Sequence, residues 1–268
     1  MAIILGENEF ITVQKLIFRE VGINLQSSKR LLVQSRLLKR LLFYKLNNYL
    51  DYIRLVQINS KERVEMINLI TTNETYFFRE IDHFEYLQKV IIPEHPYKTK
   101  FRFWSAAASV GAEAYSTAML LDKSMARTDW EIVGTDINTD VIKKARVGLY
   151  LEKWADKIPI ELKKEYCLRG KGRSEGKFLI DRCLVGNIDF RVGNLMRYNN
   201  EIGKFDVIFL RNVLIYFDDN TKQMVVDNVI KNLKLGGYFF ISLTENLNMI
   251  NTPTLTSIGS SIYKKIKE

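Results

Sequence analysis

One stretch of fourteen residues, from Phe103 to Ser116, changes character three times and limits the folds that this chain can adopt. It begins as a short apolar run, continues with small residues up to Gly111, and ends with apolar side chains at helical spacing. Such an apolar run is typical of a strand buried on both faces of a parallel sheet. Small side chains in the loop let a ligand approach the backbone, and Gly111 permits a tight turn. The pattern predicts a strand, a loop and a helix of an α/β fold.

A second apolar run, from Glu131 to Asp136, predicts the neighbouring parallel strand and ends on a carboxylate. In doubly wound folds an acid about 20 residues after the glycine loop binds the ribose hydroxyls of a nucleotide. Asp136 follows Gly111 by 25 residues. The loop has one glycine where a dinucleotide fingerprint has three, so two interpretations stay open: a nucleotide site, or a turn that serves packing alone.

Apolar periodicity divides the rest of the chain into a helical part and an α/β part. Helices are predicted at 7–21, ending at Gly22, and at about 28–44, 48–58 and 61–70. Strands are predicted at 188–192, 205–210 and 238–242, with a helix at 221–233 closed by Gly236 and Gly237 and a final antiparallel hairpin at 255–265. Glycines between short β-prone runs predict an inserted antiparallel β-subdomain at 166–190. We therefore expect a helical domain over residues 1–72 and an α/β domain over residues 73–268.

Composition excludes several classes of protein. Apolar runs are too short for a membrane span, and the first ten residues lack the basic cluster of a secretory signal. Cys167 and Cys183 are far apart, as expected for reduced thiols in the cytoplasm. His83 and His95 are the only histidines, too few for a His-rich metal site. We therefore predict a cytoplasmic protein without a metal and without membrane insertion.

Positive charge is concentrated in one predicted helix. The net charge of +9 suggests an acidic partner, which could be nucleic acid, an anionic membrane or an acidic protein surface. Six cations and no acid lie between residues 28 and 45, and Lys29, Arg36 and Arg40 share one helical face. This face is either an ordinary solvated surface or a docking face for an acidic helix or polyanion.

Five motifs occur in a characteristic order along nearly the whole chain. They are TTNETYFFRE at 71–80, WSAAAS at 104–109, TDIN at 135–138, KARVGLY at 144–150 and RNVLIYFD at 211–218. Together with Gly22, Lys29, Arg36 and Arg40 in the N-terminal part, they resemble the chemotaxis receptor methyltransferase (CheR) family. The resemblance extends from residue 10 to residue 265.

The resemblance implies a fold and an activity. The fold would be α/β, a class I S-adenosylmethionine-dependent methyltransferase with a Rossmann-like sheet, an antiparallel edge strand, a small all-α N-terminal domain and an inserted antiparallel β-subdomain. The activity would be methyl transfer from S-adenosylmethionine to receptor glutamate side chains, leaving S-adenosylhomocysteine. The partner would be the cytoplasmic domain of a methyl-accepting chemotaxis receptor, whose C-terminal tail some members hold on the β-subdomain. A monomer that binds no nucleic acid is expected.

The resemblance also assigns roles to residues. The cofactor-binding set is Asn73, Thr75, Arg79, Glu113, Asp136, Asn194, Leu195, Arg211 and Asn212. Within it, Glu113 would bind the methionine amino group, Asp136 the ribose, and Asn194 and Leu195 the adenine. Arg79 is expected to orient the target carboxylate, while Tyr216 either lines the methyl channel or packs as a structural aromatic. Lys29, Arg36 and Arg40 would dock the acidic receptor helices.

One departure from the family pattern lies in the first loop. The family usually has Ser-x-Gly-Glu-Glu-Pro-Tyr-Ser, whereas residues 109–116 read SVGAEAYS, with Ala112 and Ala114 in place of an acid and the proline. Altered cofactor affinity would follow. A binding module for S-adenosylmethionine or S-adenosylhomocysteine without turnover therefore stays open. So does a class I methyltransferase acting on RNA or another protein, although RNVL at 211–214 stands where many base-methylating enzymes have Asn/Asp-Pro-Pro-Tyr.

Overall fold

Four helices form the N-terminal part of the computed structural model, which describes residues 3–96, 99–126 and 129–268. They are α1 (Glu7–Val21), α2 (Arg30–Phe43), preceded by a 3-10 turn (Ser27–Lys29), α3 (Tyr49–Ile58) and α4 (Ser60–Ile70). All four confirm predicted helices. Gly22 ends α1 in the left-handed region at φ 74°, and its N–H donates to the carbonyl of Phe18, as glycine C-caps do. The side chains of Asn48 and Asn59 cap α3 and α4.

A buried glutamate links three of the four helices, α2, α3 and α4. The Glu62 side chain is fully buried on α4 and accepts hydrogen bonds from Arg40 Nε at 2.8 Å and Nη2 at 2.5 Å. It also accepts from the hydroxyls of Tyr44 at 2.9 Å and Tyr52 at 2.8 Å. Burial alone would raise the pKa of Glu62, but the hydrogen bonds from Arg40 and the tyrosines outweigh it, and this pKa is lowered. The charge of Arg40 is therefore compensated inside the domain.

A seven-stranded sheet forms the centre of the α/β part. Its strands are β1 (Phe101–Ala106), β2 (Trp130–Asp136), β6 (Ile188–Val192), β7 (Phe205–Phe209), β8 (Leu233–Phe240), β9 (Leu255–Gly259) and β10 (Ile262–Lys265). Their order is β6-β2-β1-β7-β8-β10-β9. The first five are parallel; at one edge β10 pairs antiparallel with β8, and β9 pairs antiparallel with β10. The predicted Rossmann-like sheet with an antiparallel edge is thus confirmed.

Short helices surround this sheet. They are α5 (Ile81–Tyr86), continued by a π-helical turn (Leu87–Ile91) and α6 (Ile92–Glu94), then α7 (Ala112–Ser124), α8 (Thr139–Val147), α9 (Ile160–Tyr166), α10 (Arg182–Val185) and α11 (Asp219–Ile230). Further 3-10 turns lie at Glu152–Lys157, Gly172–Ser174, Asn200–Ile202 and Leu214–Tyr216.

An aromatic core fills one side of the sheet, where the ring of Phe209 lies 4.8 Å from that of Phe103 and 4.6 Å from that of Phe240.

The direction of the strands decides where a ligand can bind. The chain leaves β1 for β2 on one side and later returns to β7 on the other, so the strand order reverses at β1. In open α/β sheets, ligands bind in the crevice at such a reversal, beyond the carboxyl ends of the strands. The loops after β1, β2, β6 and β7 meet at this edge.

Two sequence predictions need correction. The inserted sheet consists of β3 (Leu149–Leu151), β4 (Cys167–Arg169) and β5 (Lys177–Ile180) in the order β3-β5-β4. It begins before residue 166 and ends before residue 190, because a three-residue strand is too short to show a period and 188–190 belong to β6. Gly236 and Gly237 lie inside β8 and do not close α11; Gly236, at φ 77°, accompanies a register shift against β7.

Replacing Arg40 by methionine should destabilise the helical domain, because Glu62 would stay buried without its cation. The expected loss is about 3 kcal/mol, the lower end of what breaking a buried pair costs. Chemical denaturation measures it, with Lys39→Met as a control, since Lys39 is exposed on the same helix. The control should change the free energy of unfolding by less than about 0.5 kcal/mol. Equal losses in both variants would contradict a structural role for Arg40.

Candidate cofactor and catalytic site

A cavity of about 340 Å³ lies between the helical domain and the carboxyl edge of the sheet. Its volume is within the range of about 300–1,000 Å³ that is common for ligand clefts. Twelve of the thirteen residues singled out from the sequence line it: Lys29, Arg36, Asn73, Thr75, Arg79, Glu113, Asp136, Asn194, Leu195, Arg211, Asn212 and Tyr216. Arg40 is not among the lining residues, because it faces Glu62.

Asp136, at the end of β2, holds two backbone segments in place. One carboxylate oxygen accepts from the N–H of Ser109 at 2.8 Å, and the other from the N–H of Asn138 at 2.9 Å. Burial raises the pKa of Asp136, although these N–H groups favour its charged form. Each carboxylate oxygen can accept a further hydrogen bond, so Asp136 can bind a pair of vicinal hydroxyls.

Glu113, in the first turn of α7, places a second carboxylate at the cavity. One of its oxygens accepts from Ser105 Oγ at 2.6 Å, and the other lies 3.3 Å from Nη1 of Arg211. Burial raises the pKa of Glu113, and the charge of Arg211 opposes this effect. Ala112 and Ala114 are fully buried within α7 and do not line the cavity. The departure from the family loop therefore affects the packing of α7, and the carboxylate suited to an ammonium group is retained.

Arg211 and Asn212, directly after β7, form the floor of the cavity. Arg211 is 5% exposed, and its Nη2 lies 3.1 Å from Glu80 Oε2 and also donates to the carbonyl of Arg79. Its guanidinium lies 5.1 Å from the centre of the Phe209 ring. Asn212 adopts a left-handed conformation at φ 58° and donates through Nδ2 to Ser242 Oγ at 2.7 Å. The terminal nitrogens of Arg211 and the amide nitrogen of Asn212 are thus engaged by the protein, whereas Nε of Arg211 has no hydrogen-bond partner among the described residues.

Arg79 and Tyr216 line the same cavity with polar groups that are less engaged. Nη1 of Arg79 donates to the carbonyl of Glu74 at 3.0 Å, and within the described part of the chain this guanidinium forms no ion pair. Burial raises the pKa of Tyr216, and the charge of Arg79 offsets only part of this effect. The phenol of Tyr216 therefore stays protonated at neutral pH. The carbonyl of Tyr216 accepts from the N–H of Asn24, which anchors this loop on the helical domain.

The remaining predicted residues lie on the walls of the cavity. The carbonyl of Asn73 accepts from Ser109 Oγ at 3.2 Å, while Thr75 lies two residues further along the same segment. Asn194 donates through Nδ2 to the carbonyl of Glu20 at 2.8 Å, and its Oδ1 accepts from the N–H of Met196. Its amide is therefore used in joining the two domains.

Two asparagines of the domain junction were missed as site residues. Asn138 caps α8 and also donates through Nδ2 to Thr71 Oγ1 at 2.7 Å and to the carbonyl of Asn68 at 2.9 Å. Asn68 in turn bonds Thr139 through both ends of its amide, at 2.8 and 2.9 Å. Because asparagine is disfavoured inside helices, Asn68 in α4 was a signal that could have been recognised. Through Asn138, the helical domain contacts the backbone that holds Asp136.

Neither histidine lines the cavity. His83 is buried, with Nε2 2.9 Å from Ser261 Oγ, and Nε2 of His95 lies 2.8 Å from the carbonyl of Thr99. Over residues 3–96, 99–126 and 129–268, no group of three or more His, Cys, Asp or Glu side chains could hold a metal ion. Every helix in those ranges is too short or too polar to cross a membrane.

The lining residues fit S-adenosylmethionine, which carries an adenosine and an amino acid joined by a positively charged sulfur. Asp136 offers acceptors for a ribose, and Glu113 offers a buried carboxylate for the ammonium group. Leu195 and Ile137 provide apolar surface for a base. A side chain at Gly193 would meet the Cβ of Thr135 at 3.0 Å, so glycine allows the loop after β6 to lie close to β2.

The fold and the cavity define a class I S-adenosylmethionine-dependent methyltransferase. The chain belongs to the CheR methyltransferase family: the SAM binding domain of CheR methyltransferases matches residues 73–263, and their all-alpha domain matches residues 8–71. The chemotaxis protein methyltransferase of Escherichia coli K12 is 34% identical over 271 residues, covering 98% of this chain and 93% of that protein. The Salmonella typhimurium protein of the same name is 36% identical, covering 98% and 92%, and the Borreliella burgdorferi protein 33%, covering 97% and 94%. S-adenosylmethionine is therefore the cofactor.

Replacing Asp136 by asparagine should weaken binding of S-adenosylhomocysteine, because the amide has one acceptor oxygen where the carboxylate has two and carries no charge. A hydrogen bond to a charged group contributes about 1.5–3 kcal/mol, so the dissociation constant should rise at least about tenfold. Calorimetric titration measures it. Asp140→Asn removes the same charge four residues away, from a half-exposed carboxylate, and should bind as wild type does. Wild-type affinity in Asp136→Asn would exclude the ribose-binding role.

Proposed function

We propose that this protein transfers methyl groups from S-adenosylmethionine to glutamate side chains in the cytoplasmic domain of chemotaxis receptors. Similarity over nearly the full length to proteins named chemotaxis protein methyltransferase supports this substrate. The observation that carries the proposal is Arg79, a cation on the cavity wall that has no acidic partner among the described residues, in a cavity whose described lining includes no histidine. This combination suits a carboxylate acceptor.

A carboxylate acceptor needs no base, because a glutamate with a pKa of about 4.3 is ionised at neutral pH. An alcohol acceptor would have to lose a proton. The described residues that line the cavity include no histidine. The carboxylates of Glu113 and Asp136 already accept hydrogen bonds from the protein, and the third carboxylate of the lining belongs to Glu74, an exposed residue. The raised pKa of Tyr216 makes its phenol a poor base as well.

Catalysis would then rest on position and electrostatics. S-adenosylmethionine, when bound, supplies a methyl group on a positively charged sulfur. Arg79 would hold the target carboxylate through charge-assisted hydrogen bonds, and Tyr216 would line the path to the methyl group. Fixing two reactants in line is worth about 7–11 kcal/mol in favourable intramolecular reactions. Glu113 and Asp136 would secure the two ends of the cofactor.

The mouth of the cavity has the character of a protein-binding surface. Lys29 and Arg36 line it beside three exposed apolar side chains, Leu32, Tyr76 and Ile215. Nη1 of Arg36 donates to the carbonyl of Ile70 at 2.7 Å, a neutral partner that leaves its charge uncompensated. An acidic amphipathic helix would meet both the cations and the apolar side chains. Docking is assigned to Lys29 and Arg36 and not to Arg40, whose charge Glu62 compensates.

We further infer that the protein works in the cytoplasm as a monomer and that the inserted sheet receives the receptor's C-terminal tail. In that sheet β5 is central, so β3 and β4 each leave one edge without a partner strand within the described part of the chain. An extended peptide binds such an edge by adding a strand, which provides affinity through backbone hydrogen bonds.

Replacing Arg79 by alanine should lower methyl transfer to receptor-containing membranes by about 100-fold, equivalent to about 2.7 kcal/mol of barrier. Arg79→Lys should retain an intermediate rate, because lysine keeps the charge and loses the bidentate geometry. Transfer of labelled methyl groups measures both, and Lys39→Ala serves as a control on an exposed cation. Full turnover in Arg79→Ala would show that Arg79 does not orient the carboxylate. Methylation of tRNA but not of receptors, or cofactor binding without any transfer, would overturn the proposed function.

Reversing charge at the mouth should weaken receptor binding. Lys29→Glu with Arg36→Glu should raise KM for the receptor about tenfold and make it less dependent on ionic strength, because long-range attraction to an acidic helix is lost. Lys39→Glu reverses an exposed charge on the same helix and should have little effect. If Lys39→Glu raises KM as much as the double variant does, the attraction comes from the charge of the whole helix. If neither variant changes KM, the mouth of the cavity does not dock the receptor.

A further inference from the structure

Glu80 follows Arg79 and turns its side chain into the protein. It adopts a left-handed conformation at φ 58°, which is uncommon for a residue other than glycine and costs about 1 kcal/mol or more. Its side chain is 12% exposed. Such a conformation persists only where the surroundings hold it, and here four groups do so.

Both carboxylate oxygens of Glu80 are engaged. One accepts from Ser242 Oγ at 2.7 Å and lies 3.3 Å from Nδ2 of Asn212. The other accepts from the N–H of Leu243 at 3.1 Å and lies 3.1 Å from Nη2 of Arg211. Glu80 therefore joins the motif at 71–80 to the loops after β7 and β8.

Arg211 is the charged partner of Glu80. Nδ1 of His83 also lies 3.5 Å from Glu80, but burial and the nearby Arg211 lower the pKa of His83 to about 4, so this ring is neutral at neutral pH. Burial alone would raise the pKa of Glu80, yet the Ser242 hydroxyl and the charge of Arg211 outweigh it and lower this pKa. Glu80 is thus ionised beside a buried guanidinium.

The two terminal nitrogens of Arg211 bind different carboxylates. Nη2 binds Glu80, whereas Nη1 lies 3.3 Å from Glu113, at the longer end of ion-pair distances. A buried cation is strongly attracted to the nearest anion, because the low dielectric of the interior strengthens the interaction between the two charges. Without the charge of Glu80, Arg211 would have Glu113 as its sole charged partner and would draw it away from the ligand.

We propose that Glu80 is a positioning residue of the cofactor site, which engages Arg211 so that the Glu113 carboxylate stays available for the amino group of the cofactor. Glu80 acts through Arg211 and does not line the cavity itself. Nη2 of Arg211 also donates to the carbonyl of Arg79. Arg211 therefore fixes the backbone from which the Arg79 side chain extends.

The test is calorimetric titration of Glu80→Gln with S-adenosylhomocysteine, which needs no receptor. Glutamine keeps the size of the side chain and removes the charge. The dissociation constant should rise about tenfold, equivalent to about 1.4 kcal/mol. In the transfer assay, KM for S-adenosylmethionine should rise in the same proportion while kcat stays within about threefold, because the reacting groups are unchanged.

The control is Glu62→Gln, since Glu62 is also buried and bonded to an arginine and hydroxyl groups but lies outside the cavity. Both variants should lower Tm, and only Glu80→Gln should lose affinity. Wild-type affinity in Glu80→Gln, or an equal loss in Glu62→Gln, overturns the proposal. Should Glu80→Gln fail to fold, Glu80→Asp keeps the charge but is too short to reach Arg211. Its affinity should also fall, and unchanged affinity would again refute the role. Failure of receptor methylation leaves this test unaffected.

Discussion

The floor of the cofactor cavity depends on the buried guanidinium of Arg211. It is 5% exposed, and two carboxylates, a backbone carbonyl and two aromatic rings surround it. Removing one partner of a buried ion pair costs about 3–5 kcal/mol, so these groups are stable only when they are assembled together. The segment at 71–80, the start of α7 and the loop after β7 therefore form one unit, in which folding and site formation share the same contacts.

The helical domain completes this site. Asn138 bonds both Asp136 and the end of α4, Asn194 bonds the end of α1, and the loop of Tyr216 accepts from Asn24. The bonds of Asn138 to α4, of Asn194 to α1 and of Asn24 to Tyr216 each cross from one domain to the other. The position of the helical domain and the geometry of the cofactor cavity are consequently coupled through short polar contacts.

Local sequence signals explain which ends of helices and strands could be predicted without the structure. Gly22 marked the end of α1 because glycine permits a left-handed cap. Asp136 marked the end of β2. The three residues of β3 were too few to show alternation, and the pair Gly236-Gly237 can end a helix or form a bulge with equal local chemistry. Neighbouring strands decided both cases.

The sequence by itself determined the class of fold, because apolar periodicity follows from the geometry of each element. The order of its motifs, through their resemblance to a family, pointed to twelve of the residues that line the cavity. Only the tertiary structure decided which side chains are available. Arg36 and Arg40 share a helical face, yet Arg40 is bound to Glu62 on another helix while Arg36 faces the cavity. The contacts that engage the side chains of Glu80 and Asn194 likewise join elements that are distant in sequence. Pairing across elements depends on packing in three dimensions, which no local pattern encodes.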